Sequence, residues 1–150
     1  MESIINRNAA YLAIISELAE KRQYIFNVIE LYPNVTSKDI EKLTFLRPNQ
    51  ITSRVSELKN LFFIKESGSR ENHYSKRGNT TYRIVESMEE RIDLINAAFV
   101  SLRDEKSSLE MDYHLNISNY TRESIDKKIK KIKRQLKSLG KILNTIQQVA

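Results

Sequence analysis

Apolar residues recur along this chain at two periods, and the points where the period changes divide it into elements. Between residues 8 and 32 they step at helical spacing. Tyr11, Ile14, Ile15 and Leu18 form one set, and Ile25, Val28, Ile29 and Tyr32 form another. The polar interval 19–23 between the sets fits either continuous helix or a bend, and Tyr11, Tyr24 and Tyr32 read as core residues. Pro33 ends the segment, because proline disfavours helix at the residue before it. A short helix follows from Val35-Thr36-Ser37-Lys38-Asp39. Thr36 or Ser37 can cap it, with Asp39 and Glu41 near the positive end of its dipole. Ile40 and Leu43 are its predicted buried residues, and Phe45-Leu46 its end. Pro48 suits the first position of the next helix, 48–61, where its missing N–H would have no partner. Ile51, Val55 and Leu58 share one stripe of that helix. Asn49, Ser53, Ser56 and Asn60 point the other way, with Gln50, Thr52 and Glu57 on the flanks and Arg54 at the edge. Two short helices joined by a turn of about three or four residues make a helix-turn-helix.

After Leu61 the period shortens. Residues 62–66 read as a strand, Ser67-Gly68-Ser69 as a turn, 70–79 as a polar, basic loop and 80–85 as a second strand. Thr81 and Arg83 fall on one face of that strand, Tyr82 and Ile84 on the other. From residue 87 the helical spacing returns: Met88, Ile92, Ile95, Phe99, Leu102, Lys106, Leu109 and Tyr113. A break at 117–121, with Asn119 or Thr121 as cap, precedes Ile125, Ile129, Ile132, Leu136, Leu139, Leu143 and Ile146. The steps alternate +4 and +3, a coiled-coil seam of about three heptads in the last helix. Each helix would hold about 29 residues and reach about 44 Å. Matching lengths and a short break predict an antiparallel hairpin driven by burial of the two seams, at about 25 cal/mol per Å². Two helices leave those apolar residues half wet, so a second copy completing a four-helix arrangement is expected. The predicted dimerisation residues are Ile92, Ile95, Phe99, Leu102, Ile125, Ile129, Ile132, Leu136, Leu139, Leu143 and Ile146.

With 150 residues, 40% apolar and 29% charged, the chain suits one domain, or a small domain plus an extension. There is no run of about eighteen apolar residues, so no membrane partner is expected, and the N-terminus lacks the layout of a signal peptide. The expected location is cytoplasmic, on the nucleoid. Without cysteine there is no disulfide or thiolate metal site, and His73 and His114 are too far apart in sequence to suggest a metal. No phosphate-cradling Gly loop and no Cys/His nucleophile pattern appears, so neither catalysis nor a cofactor nor a small-molecule ligand is expected. The net charge of +6 is unevenly spread. Residues 47–85 carry eight basic and three acidic side chains, 86–121 three and eight, and 122–150 nine and two. An acidic helix would then lie against a basic one, with Glu110 near Lys128, Glu105 near Lys133 and Asp104 near Arg134. Exposed pairs of this kind give at most about 1 kcal/mol each, enough to select an orientation. The basic run 127–134 reads first as a solvated or acid-paired face and second as a nucleic-acid contact.

The outward face of helix 48–61 is unlike an ordinary solvated face, which is rich in Lys and Glu. Asn, Gln, Thr, Ser and Arg are side chains that can read base edges in a major groove. A strand, a basic loop and a strand directly after it describe a β-hairpin wing. Residues 20–85 resemble a winged helix-turn-helix DNA-binding domain. The segments Thr36-Ser-Lys-Asp-Ile40, Ile51-Thr-Ser-Arg-Val-Ser-Glu-Leu58, Ile64-Lys-Glu-Ser-Gly-Ser-Arg70 and Thr81-Tyr82 are similar to MarR-type regulators, and closer still to small winged-helix proteins of phages and mobile elements. The resemblance implies that helix 48–61 enters the major groove of double-stranded DNA. It also implies that the wing, through Arg70, Lys76 and Arg77, tracks a neighbouring backbone or minor groove. The expected DNA-contacting residues are Ser37, Lys38, Asn49, Gln50, Thr52, Ser53, Arg54, Ser56, Arg70, Lys76 and Arg77. His73 and Tyr74 would lie at an exposed wing tip.

The expected fold is therefore mainly α with a small β-hairpin wing. A winged helix-turn-helix domain over 1–85 precedes a long antiparallel helical hairpin or coiled coil over 86–150, which dimerises. The expected function is a dimeric, sequence-specific, repressor-like transcriptional regulator. The alternative is a winged-helix interaction or architectural module whose coiled coil binds a partner helix.

Overall fold

Ile25, Ile29, Ile40, Ile51 and Leu58 are sealed from water, and the three helices that carry them form one core. The computed structural model describes residues 9, 11–16, 18–71, 78–115 and 118–149. Residues 11–16 are helical and the chain then bends at 18–19, so the two apolar sets lie on separate helices and most of the polar interval, 20–23, forms the first turn of the second. The elements that follow are α1 (Glu20–Leu31), β1 (Val35–Thr36), α2 (Ser37–Thr44), α3 (Pro48–Asn60), β2 (Ile64–Glu71), β3 (Gly78–Ile84), α4 (Met88–Tyr113) and α5 (Asn119–Val149). The described chain divides into two compact units, Met1–Arg91 and Ile92–Ala150.

In the first unit, α1 buries Ile25, Phe26, Val28 and Ile29. Tyr24 and Tyr32 are half exposed and do not join the core. Tyr24 sits on the flank of that stripe, and Tyr32 lies past the last helical residue, where the backbone leaves the helix. Asn34 takes a left-handed conformation that asparagine tolerates, and its N–H donates to the Tyr82 carbonyl at 2.9 Å. That bond aligns β1 with β3, pairing Val35 with Tyr82 and Thr36 with Thr81.

Thr36, not Ser37, caps α2. Its hydroxyl accepts from the Asp39 N–H, while Asp39 Oδ2 accepts from the Thr36 N–H at 2.9 Å, a reciprocal capping box. Ile40 is buried as expected, but Leu43 is nearly half exposed and Thr44 is buried in its place. The Thr44 hydroxyl can go inside because it donates to the Ile40 carbonyl at 2.7 Å and accepts from the Leu46 N–H at 3.3 Å. The turn from α2 to α3 is Phe45-Leu46-Arg47.

β2, β3 and β1 form an antiparallel sheet in the order β1-β3-β2. β2 does not turn at Ser67-Gly68-Ser69. It runs on to Glu71, with a bulge between Glu66, opposite Tyr82, and Gly68, opposite Thr81. Gly68 has φ +152°, and the Ser67 and Thr81 hydroxyls meet at 3.0 Å across the irregularity. A glycine there accommodates the extra residue, so a turn signal in the sequence became a bulge in a longer strand.

α3 ends in a Schellman motif. The Phe63 N–H donates to the Leu58 carbonyl and the Phe62 N–H to the Lys59 carbonyl, both at 3.0 Å, with Phe62 left-handed at φ 59°. This leaves the Leu61 carbonyl for another donor, which is Arg91. Its Nε and Nη2 donate to that oxygen at 3.2 and 3.0 Å, and its guanidinium lies 4.3 Å from the Phe63 ring centroid. Tyr11 completes the cluster, stacked on Phe63 with its hydroxyl donating to the Val85 carbonyl at 2.6 Å. Burial pushes the Tyr11 phenol above its ordinary pKa and pulls the Arg91 guanidinium below its own.

In the second unit the predicted seam is the buried stripe. Ile95, Ile125, Ile129, Ile132, Leu139 and Ile146 are buried within the single chain, while Ile92, Phe99, Leu102, Leu136 and Leu143 are only half-buried. Ser118 caps α5, its hydroxyl accepting from the Thr121 N–H at 3.3 Å, so neither Asn119 nor Thr121 is the cap. Arg122 stands 5.9 Å from the Tyr113 ring centroid, so the start of α5 lies beside the end of α4, as a fold-back requires. The ion pairs expected between the helices are not formed. Glu110 pairs instead with Lys106 of its own helix at 2.9 Å, one turn away, which also gives the polar seam residue an outlet for its charge.

Arg91→Ala should lower the unfolding free energy by about 2–4 kcal/mol, because it leaves a cavity and an unpartnered carbonyl. Urea unfolding followed by circular dichroism measures this. A change within the about 0.5 kcal/mol scatter of surface substitutions would show that the cluster does not hold the unit together.

Candidate nucleic-acid interface

α3 presents two unlike faces because its apolar residues recur at helical spacing. Ile51, Val55 and Leu58 are buried, while Asn49, Gln50, Thr52, Ser53, Ser56 and Asn60 are exposed. Some of these polar groups are already used locally. Asn49 Oδ1 accepts from the Gln50 N–H at 2.8 Å, Gln50 Oε1 from the Arg47 N–H at 3.3 Å, and Thr52 Oγ1 donates to the Pro48 carbonyl at 2.9 Å. The bonds to the Arg47 and Gln50 N–H groups serve donors at the helix start, and all three orient the side chains. Each amide keeps its NH₂ donors, and each carbonyl oxygen a second lone pair.

Arg54 is not a bare edge residue. Its Nη1 donates to both oxygens of Glu57, at 2.5 and 2.7 Å, and the Ser53 hydroxyl donates to the same carboxylate at 3.3 Å. Arg22 of α1 brings a second cation, its Nε 3.2 Å from Glu57 Oε2 but without hydrogen-bond alignment. The Arg54 hydrogen bonds, aided by both positive charges, hold the Glu57 carboxyl below the usual carboxylate range. Glu57 thus fixes the rotamer of Arg54 and tethers α3 to α1.

Ser37 is half-buried at the start of α2, and Lys38 beside it is exposed. Arg70 lies within β2 rather than in a loop, and it pairs with Asp39. The wing is therefore tied to the first turn of α2. Partial burial raises the Asp39 pKa, but the Thr36 hydrogen bonds and the Arg70 charge outweigh it and lower the value overall. Lys76, Arg77, His73 and Tyr74 lie outside the described residues.

Two further carboxylates near this end, Glu66 and Glu90, are engaged likewise. Glu66 pairs with Lys59, and Glu90 with Lys65 and, at 3.4 Å, with Arg83. Glu90 Oε2 also accepts from the Glu86 N–H at 2.8 Å. Burial opposes ionisation of Glu90, yet these donors leave its pKa lowered. Among the described residues no carboxylate lies within ion-pair distance of Lys38, Lys42 or Arg47. Of the described cations of residues 47–85, Arg54, Lys59, Lys65, Arg70 and Arg83 are each paired with a carboxylate, so the open positive charge is that of Arg47 together with Lys38 and Lys42 of α2. Sequence reasoning missed Arg47, an exposed cation directly before α3, although a basic residue before a helix-opening proline was a visible signal. It could not have found Arg22, whose role depends on how α1 crosses α3.

Helix, three-residue turn, helix, then a β-hairpin whose second strand also pairs with β1: this is a winged helix-turn-helix, followed in the chain by two long helices. No protein-family model and no curated protein matches the sequence. Among solved structures, the chain is similar to the crystal structure of Streptococcus pneumoniae FabT in complex with DNA, at 15% identity, covering 82% of this chain and 78% of that one, with a TM-score of 0.39. Among the described residues, no group of His, Cys, Asp and Glu side chains is arranged to hold a metal ion, and no helix is long and apolar enough to cross a membrane.

Asp39, Glu57 and Glu90 all have depressed pKa values in the folded chain. Their contribution to stability is complete above the unfolded carboxylate value of about 4.3 and fades as pH falls through the lower folded values. Thermal melts between pH 7 and pH 3 should therefore fall on the acid side. Glu90→Gln should lower the midpoint at pH 7 and make that fall shallower. An unchanged acid slope in the variant would show that Glu90 carries none of it.

Proposed function

We propose that this protein is a sequence-specific double-stranded DNA-binding protein acting as a dimeric transcriptional regulator in the cytoplasm, on the nucleoid. The observation that carries the reading is the solvent-open face of α3, made of Asn49, Gln50, Thr52, Ser53 and Ser56, within a region of positive surplus. Such side chains match the donor and acceptor pattern of base edges in the major groove, which α3 is narrow enough to enter. Lys38, Arg47 and the wing, including Lys76 and Arg77, would contact phosphates and make binding salt-dependent. Arg54 would either read a base by releasing Glu57 or stay as the brace of the helix.

The two long helices would supply the dimer contact. Because Ile95, Ile125, Ile129, Ile132, Leu139 and Ile146 are already buried in one chain, a second copy would meet chiefly the half-buried Ile92, Phe99, Leu102, Leu136 and Leu143. Two recognition helices would then address major grooves about 34 Å apart on a pseudo-palindromic site. A second reading, a protein-interaction module, is favoured by one observation. Leu31, Tyr32 and Leu43 line an exposed groove beside Lys42 and Arg70.

Selection from random duplex DNA should yield a consensus. Ser53→Ala should relax discrimination at one position of it. Lys38→Ala should weaken all duplexes about equally and lower the salt slope by about one. Light scattering should give twice the 17.6 kDa chain mass. Failure to enrich any sequence would sink the DNA reading, and a monomer at every concentration would remove the dimer.

A further inference from the structure

Phe45 occupies a position for which folding has no use for a phenylalanine. It closes α2 in the left-handed conformation, φ 56° and ψ 17°, with its N–H donating to the Glu41 carbonyl at 2.8 Å. Glycine or asparagine usually fills such a helix-ending position, because a Cβ is strained there and a bulky side chain more so. Packing could compensate, but Phe45 is 92% exposed. Phe62 makes the comparison sharp. It is likewise left-handed, one residue past the C-cap of α3, yet it is half-buried and is followed by the buried Phe63. Phe45 therefore combines backbone strain with a wetted aromatic ring, and gains nothing from the fold in return.

The location of Phe45 suggests its use. It begins the three-residue turn that leads into α3, two residues before the exposed Arg47 and four before the exposed Asn49. The turn is fixed by the two hydrogen bonds of the Thr44 hydroxyl, so the ring is held out on a rigid base. We propose that Phe45 is a specificity-determining residue that packs on the 5-methyl group of a thymine in the major groove. This rests on the DNA reading above and adds a base to it. The thymine methyl is the apolar group on the major-groove edge, and apolar side chains contact it directly. Of the exposed polar residues of α3, Thr52 alone offers a methyl group, far smaller than the phenyl ring of Phe45, and the others read hydrogen-bonding edges.

The test uses the full-length protein and the duplex selected from random DNA. Each dT in turn is replaced by dU, which keeps base pairing and removes only the methyl. The wild type should lose about fourfold in affinity at one position, the effect of one buried methyl group. Phe45→Asn, which suits the left-handed backbone, should bind more weakly and be indifferent to dU at that position. It should also melt at the same temperature as the wild type or higher. A wild type indifferent to every dT-to-dU change, or a Phe45→Asn variant with undiminished sensitivity, overturns the assignment while the DNA reading stands. A lower melting temperature for Phe45→Asn overturns the premise that the ring does nothing for the fold. Absence of any duplex binding by the wild type defeats the DNA reading, and this inference with it.

Discussion

The orientation of α3 depends on the end of the helix that faces away from its polar start. A helix leaves carbonyls without partners at its C-terminus, and a buried end needs a donor there. The Schellman turn through Phe62 satisfies two of them, and Arg91 takes the Leu61 carbonyl with two N–H groups. A cation is favoured at this end of the dipole, and the Phe63 face lowers the cost of burying it. Tyr11 then ties the cluster to the Val85 carbonyl at the end of the sheet. The cluster of Arg91, Phe63 and Tyr11 thus joins the end of α3, the residues flanking β2 and β3 and the first turn of α4, all within the first unit.

The acidic residues of the unit serve the same end. Asp39, Glu57, Glu66 and Glu90 are each held by one or two cations, and each pair joins different elements or locks a rotamer. Asp39 caps α2 and receives the wing through Arg70, while Glu57 braces Arg54 and reaches α1 through Arg22. These pairs are partly exposed, so each is worth little in stability. Their effect is positional: they fix side chains and join elements, and among the described residues they leave Lys38, Lys42 and Arg47 without a carboxylate in ion-pair distance.

The bulge in β2 shows how a local signal acquires meaning only in context. Ser67-Gly68-Ser69 has the composition of a turn, and in isolation that reading is sound. Pairing with β3 on both sides of it converts the same residues into an irregularity inside a strand, which carries Arg70 to the first turn of α2. Tyr24, Tyr32 and Leu43 tell the same story for burial, since each is apolar in composition but sits off the contacting face.

From the sequence alone came the elements and their faces. Periodicity identified the stripe of α3, the seams of α4 and α5 and the existence of a strand pair, because side-chain direction within a helix or strand is a local geometric fact. The charge blocks and the absence of cysteine were equally legible. Only the tertiary structure decided the partners. Arg91 capping α3 from thirty residues away, Arg22 reaching Glu57, Arg70 reaching Asp39 and Glu110 turning to its own helix all depend on how elements cross. No spacing rule encodes such contacts, since they arise between residues whose separation is set by packing and not by the repeat of a helix or strand.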